Sequence, residues 1–211
     1  AVGAYRQNHR RNARMTPRLY ISEIDPSATA DEAVFSRYRL DKLHTAKSTA
    51  RRAEGICAEL LLIYALRDIM PEIEFPVEIV TAESGKPELA DVPLRFSLSH
   101  SGKRCACALY DRAIGVDIQK RAVADMRILE RRFTPREREY VLNSVDREAA
   151  FTRVWTMKES YVKAHGTGIS LGSFCTIGGL PGTMRTFEHG EYFCSVYIPD
   201  EPDAELEIKI L

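Results

Sequence analysis

The segment Trp155-Thr-Met-Lys158-Glu159-Ser-Tyr-Val-Lys163 sets a large aromatic, a carboxylate and two ammonium groups at helical spacing. Residues four apart on a helix stand one above the other, so Trp155, Glu159 and Lys163 share a face. The indole would fasten the helix to a core while Glu159 and Lys163 point at one ligand. Taken alone, a buried Trp beside a solvated Glu–Lys pair explains the pattern as well. Gly115-Val-Asp117-Ile-Gln119 strengthens the chemical reading. At i and i+2 on a strand, Asp117 and Gln119 lie on the same side and can offer oxygens to one hard cation. Magnesium commonly takes one or two carboxylates, with waters and substrate phosphates completing the shell; Glu159 would be the second carboxylate. A solvated strand with Gly115 at a bulge is the competing explanation.

Three further groups suit an anion. Phe96-Ser-Leu-Ser99-His100-Ser101-Gly102 runs strand alternation into a turn, bringing a hydroxyl, an imidazole and free backbone N–H groups to a strand end. A Ser–His nucleophile pair is disfavoured there, because adjacent strand residues point to opposite faces and no nucleophile elbow appears. In Gly85-Lys86-Pro87 the lysine sits between rigid punctuation and would lose little freedom on gripping a phosphate. Lys47, Arg51 and Arg52 open a helix, where the dipole does not favour cations, so a local anion or a solvated face must justify them.

The elements that must position these groups follow from periodicity. Arg18–Glu23 alternates as a strand and Asp25-Pro26-Ser27 turns it. Helices are expected over Asp31–Leu43 and Ser48–Ile69, ending at Pro71, then strands at Val77–Thr81, Arg95–Ser99 and Cys105–Tyr110. The order then repeats in outline: a strand over Ala113–Ile118, helices over Met126–Phe133, Pro135–Asn143 and Glu148–Ala164, and strands at Phe174–Gly178, Tyr192–Ile198 and Leu206–Ile210. Asp111-Arg112 is the expected boundary. Residues 1–14, rich in Arg and Asn and without apolar periodicity, are expected to be a disordered or extraneous leader, with Met15 a natural start.

Lys+Arg and Asp+Glu number 30 each in 211 residues. Such a balance gives no global field toward nucleic acid or an anionic membrane, so any anion site is local. The five cysteines are odd in number, without CxxC or zinc spacing, which points to a reduced, cytoplasmic protein. No apolar run approaches the ~20 residues that span a bilayer.

The conjunction of Gly85-Lys86-Pro87, Phe96–Gly102, Gly115–Gln119 and Trp155–Lys163, followed by Gly166-Thr-Gly168-Ile-Ser170-Leu171, resembles the Sfp-type 4′-phosphopantetheinyl transferases from about Arg51 to Ser173. The resemblance implies an α/β (α+β) fold of two similar halves, 15–111 and 112–211, related by pseudo-two-fold symmetry with coenzyme A between them. It implies transfer of 4′-phosphopantetheine from coenzyme A to a serine of an apo acyl or peptidyl carrier protein, releasing 3′,5′-ADP. Magnesium, with manganese as a possible substitute, would sit on Asp117, Gln119 and Glu159. Gln119 departs from the form with a third acid here. Arg51, Lys86, Pro87, Ser99, His100, Lys158 and Lys163 would bind coenzyme A. Lys42 and Lys47 match a lysine cluster loosely. Glu159, Lys163 and Lys158 would be catalytic, Glu159 as base directly or through water, with Glu137 a secondary candidate. The carrier would dock on Met126–Tyr140, a segment mixing apolar and Arg residues, although Leu129 and Phe133 suit a core better. A monomer is expected, with neither nucleic acid nor membrane as partner. The alternatives are a non-catalytic module binding coenzyme A or a carrier protein, and an unrelated magnesium-dependent nucleotide hydrolase, against which the absence of a P-loop counts.

Overall fold

The computed structural model describes residues 15–166, 176–177 and 179–211. The expected leader, residues 167–171 of the glycine motif and most of the strand expected at 174–178 lie outside the described residues. Thr176 and Ile177 are in no strand.

The first half opens with β1 (Arg18–Glu23), a 3-10 turn (Glu32–Val34), α1 (Arg37–His44) and α2 (Thr49–Ile69), then β2 (Ile79–Thr81), β3 (Pro87–Leu89), β4 (Arg95–Ser101) and β5 (Arg104–Tyr110). The second has β6 (Gly115–Lys120), α3 (Met126–Arg132), α4 (Pro135–Asn143), α5 (Arg147–His165), β7 (Thr183–His189), β8 (Tyr192–Ile198) and β9 (Glu207–Ile210). The single helix expected over Asp31–Leu43 is broken because Asp31 and Ser36 each cap a new start. The Asp31 carboxylate accepts from Ala33 N–H, and the Ser36 hydroxyl from Arg39 N–H. Such residues satisfy orphan helical N–H groups better outside a helix than within one.

The two halves share a topology. In the first, β5 lies between β4 and β1; in the second, β8 lies between β7 and β6. Each is thus a strand, a run of helices and a hairpin whose second strand pairs antiparallel with the first strand of the half. The division at Asp111-Arg112 needs one correction. β9, expected as a second-half strand, returns to the first sheet and pairs parallel with β1.

Cys105–Tyr110 reads as a continuous apolar run because both faces of β5 are covered. Cys105, Cys107 and Leu109 join Tyr20 in packing on α2 through Ala58, Leu61, Leu62 and Ala65. Ala106 and Ala108 join Leu19 and Ile21 in a cluster with Ile114, Val116, Ile118, Cys194, Val196 and Ile198 from the second half. An apolar layer therefore binds the halves together, and polar groups collect along its edge, where β4 and β6 meet.

Candidate active site at the seam between the halves

Gly115 sets the geometry of the seam. Any side chain there would put its Cβ 2.0 Å from the Ser160 carbonyl oxygen and 2.4 Å from Ala164 N. The glycine is thus a close approach of strand to helix rather than the bulge the sequence allows, and it presses β6 onto α5. That contact brings Asp117 of β6 against Lys163 of α5, with Lys163 Nζ donating to Asp117 Oδ1 at 2.7 Å. Ser99 Oγ, on β4, donates to the same oxygen at 2.7 Å. Asp117 Oδ2 is buried and, among the described residues, has no hydrogen-bond partner.

Glu159, one helical turn before Lys163, is half-buried. Burial first, and then repulsion from Asp117, raise its carboxyl to about 7 against the opposing pull of Lys163 and Arg132. An orphaned, buried carboxylate oxygen beside a second carboxylate that resists ionising is a donor set that a divalent cation would complete. Asp117 and Glu159 thus supply two carboxylates of the kind magnesium takes, while among the described residues no group of three or more His, Cys, Asp or Glu gathers at one point. Gln119 is half-buried two residues along β6 from Asp117, on the same strand face, where its carboxamide oxygen would add a neutral ligand.

Trp155 performs the task its spacing implies. Its ring lies nearly parallel to those of Phe133 and Phe151, with centroids at 6.3 and 6.4 Å, and so ties α5 to the segments around α3 and α4.

Lys158 requires a correction. Its side chain is fully buried, and Nζ donates to both Glu137 oxygens, at 2.9 and 3.2 Å. It is therefore sealed in the helical core and not open to a ligand from solvent. Glu137 also closes a capping box with Thr134 and accepts from Thr176 N and Oγ1, each at 2.8 Å. Burial alone would raise the Glu137 carboxyl, but Thr176, Lys158 and Thr134 outweigh it and hold it below the ordinary range. Both residues are structural; helical spacing from Glu159 could not tell a buried ammonium from a ligand-facing one.

On the other side of β4 a groove of about 1010 Å³ is lined by Arg39, Lys42, Lys47, Arg51 and His100, with Glu54 its one acid. Ser48 caps the start of α2 here, so the positive end of that helix adds to the basic lining. Lys42, Lys47 and Arg51 thus come together as one anion-attracting surface. Arg52 points elsewhere, pairing with Glu32 and donating to the Leu43 carbonyl at 3.4 Å. His100 Nδ1 stands 3.6 Å from Glu54. Desolvation pulls its imidazole below the usual range more than Glu54 restores it.

Lys86 precedes and Pro87 opens β3, a short strand where the sequence suggests a bare turn. Instead of an open grip on phosphate, Lys86 Nζ donates to the carbonyls of Ile114 and Ala164 at 3.2 and 3.3 Å. Burial lowers its ammonium to about 8 against the opposing pull of Glu88. Ser84 of the same turn packs on Gly166, the left-handed cap of α5, so the turn braces the end of the helix that carries Glu159 and Lys163.

The residues sequence reading missed are the partners of Ser99. Ser97 and Ser101 accept hydrogen bonds from Val116 N and Lys120 N, each at 3.0 Å. Their alternation in Ser-Leu-Ser-His-Ser is the available signal; what it lacks is any sign that a second sheet edge lies opposite.

These features define a class: a two-half α/β protein with a basic anion groove beside a carboxylate pair suited to a divalent cation. Residues 113–195 match the model of the 4′-phosphopantetheinyl transferase superfamily. The chain is 37% identical over 98 residues to the 4′-phosphopantetheinyl transferase Sfp of Bacillus subtilis, covering 45% of this chain and 44% of that one. It is 36% identical over 114 residues to psf-1 of Bacillus pumilus, covering 51% and 49%, and 33% identical over 164 residues to HetI of Nostoc sp., covering 73% and 66%. Both are also named 4′-phosphopantetheinyl transferases. The chain belongs to this family and is of the Sfp type. It spans about half the length of the first two relatives.

Proposed function

We propose that this protein transfers 4′-phosphopantetheine from coenzyme A to a serine hydroxyl of an apo acyl or peptidyl carrier protein, with release of 3′,5′-ADP. The observation that carries the proposal is the seam: Asp117, paired with Lys163 and close to Glu159, meets β4 at Ser99, the residue beside His100 and its basic groove. The groove suits the 3′-phosphate end of coenzyme A, by charge and by the α2 terminus. When bound at Asp117 and Glu159, with Gln119 beside them, magnesium or manganese would neutralise the charge that builds on the pyrophosphate.

The chain's own groups account for the rest. The serine oxygen bonds to the phosphorus bearing the pantetheine arm, and the bond from that phosphorus to the bridging oxygen breaks. Glu159 takes the serine proton, directly or through a water, and Lys163 offsets charge on the departing phosphate. Lys158 has no part in the step. The carrier would dock where Met126 and Tyr140 are exposed among Arg127, Arg131, Arg136 and Arg138, whereas Leu129 and Phe133 are core residues. Such an arginine-rich face complements an acidic partner. Among the described residues no helix is long and apolar enough to cross a membrane, and we read the protein as a cytoplasmic monomer.

Intact-mass analysis of an apo carrier with coenzyme A and magnesium tests the proposal. A gain of one phosphopantetheine with the unmutated protein and none with Glu159→Ala is expected. If several unrelated apo carriers stay unmodified while coenzyme A still binds, the chain is instead a non-catalytic binding module.

A further inference from the structure

Strand β4 alternates so that Ser97, Ser99 and Ser101 share one face, and all three meet β6. The outer two accept from backbone N–H groups of β6. They thereby satisfy donors on the edge of β6 opposite β8, its β partner among the described residues. Ser99 instead donates, to a side chain. Two donors, Ser99 and Lys163, converge on Asp117 Oδ1, and among the described residues none reaches Oδ2. A carboxylate held at one oxygen by two directional donors has its rotation fixed and its other oxygen aimed.

The two donors differ in stiffness. Lys163 hangs on a four-carbon stem and is about a third exposed, free to follow a phosphate that competes for it. Ser99 has a one-carbon side chain, is 6% exposed, and its backbone is locked in register opposite Ala106 of β5. We propose that the Ser99 hydroxyl is a positioning group that fixes Asp117 for the metal. This rests on the metal reading above. Outer-sphere partners of ligating carboxylates orient them in this way.

The test is a Mn2+ titration followed by the free-ion electron paramagnetic resonance signal. It is run at saturating coenzyme A and corrected for Mn2+ held by coenzyme A alone. Ser99→Ala should weaken Mn2+ binding about 10–100-fold, the range for losing such a partner, while Ser99→Thr, which keeps the hydroxyl, restores most of it. Ser97→Ala and Ser101→Ala should lower the melting temperature in EDTA yet leave Mn2+ affinity unchanged, separating orientation from a weakened seam. Unchanged Mn2+ affinity in Ser99→Ala, with coenzyme A saturating for each protein, overturns the assignment. If the unmutated protein itself binds no Mn2+, the metal reading falls first, before any variant is compared.

Discussion

At the scale of single residues, the seam is a place where folding and chemistry oppose each other. Glu159 has an ordinary carboxyl pKa near 4.5 in the unfolded chain and about 7 in the metal-free fold. The folded protein therefore holds a proton there that the unfolded chain releases, and stability contributed by this group falls as pH rises from about 4.5 through about 7. Glu159→Gln removes the ionisation. In EDTA its melting temperature should equal that of the unmutated protein at pH 5 and exceed it at pH 8, while carrier modification is lost. A parallel fall of both proteins with pH would show that Glu159 ionises without strain. Lys163 argues in the other direction, since it supplies one of only two donors to a buried carboxylate. Lys163→Met should destabilise the metal-free fold, detected as a lower melting temperature, and added Mn2+ should recover part of the loss by pairing with Asp117 in its place.

At the scale of elements, the geometry of Asp117 and Glu159 depends on how closely β6 and α5 approach. At Gly115 the atoms a methyl group would strike are backbone atoms of α5, which cannot rotate aside. Gly115→Ala should cost about 1–3 kcal/mol or more in urea denaturation, the range for overpacking, and should reduce carrier modification by moving Asp117 relative to Glu159, the two carboxylates proposed to hold the metal. The Glu137–Lys158 pair tests a second joint, between α4 and α5. Lys158→Met strands a buried carboxylate and should cost up to about 3–5 kcal/mol, softened by the donors that remain from Thr134 and Thr176. Adding Glu137→Gln to it should recover stability. Because the Glu137 carboxyl lies below its ordinary range, its contribution is present above the unfolded carboxylate pKa and is lost as pH falls through and below that value. The Glu137→Gln protein should accordingly show a flatter acid limb in its stability curve. These joints also mark what the sequence discloses. The helix over Ser48–Ile69, the alternation of Arg18–Glu23 and the run Cys105–Tyr110 are legible because each follows from a local period. Asp117, Glu159 and Lys163 are legible because each stands at a spacing that aims it. Lys158 misleads because its partner, Glu137, is distant in sequence, and β7 escapes notice because Thr183–His189 buries only Thr183 fully and so has little apolar alternation.

At the scale of the molecule, the repeated topology suggests two units that fold alone and then dock, and the packing argues against it. The first half's sheet would lose its outer strand β9, which the chain supplies only after completing the second half. With β9 goes Lys209, whose ammonium bonds both oxygens of Asp68 at 2.7 and 2.8 Å and, with Arg18 and Tyr20, ties the end of α2 to β1. Without the second half, Leu19, Ile21, Ala106 and Ala108 would face water across the β1–β5 surface. The second half would expose Ile114, Val116 and Ile118 and leave Val116 and Lys120 N–H groups without Ser97 and Ser101. Each fragment therefore carries a broad apolar face and an open strand edge, the combination that aggregates. Residues 15–111 and 112–211 produced separately should show no cooperative unfolding by circular dichroism. Produced together, they should assemble into one complex of both pieces that regains the Glu159-dependent modification of a carrier. Cooperative unfolding of the 15–111 piece alone would mean that α2 and β5 suffice as a core and that the shared apolar layer only joins finished halves. On the packing described here the layer is instead half of each core, so the active-site seam forms in the same step as the fold.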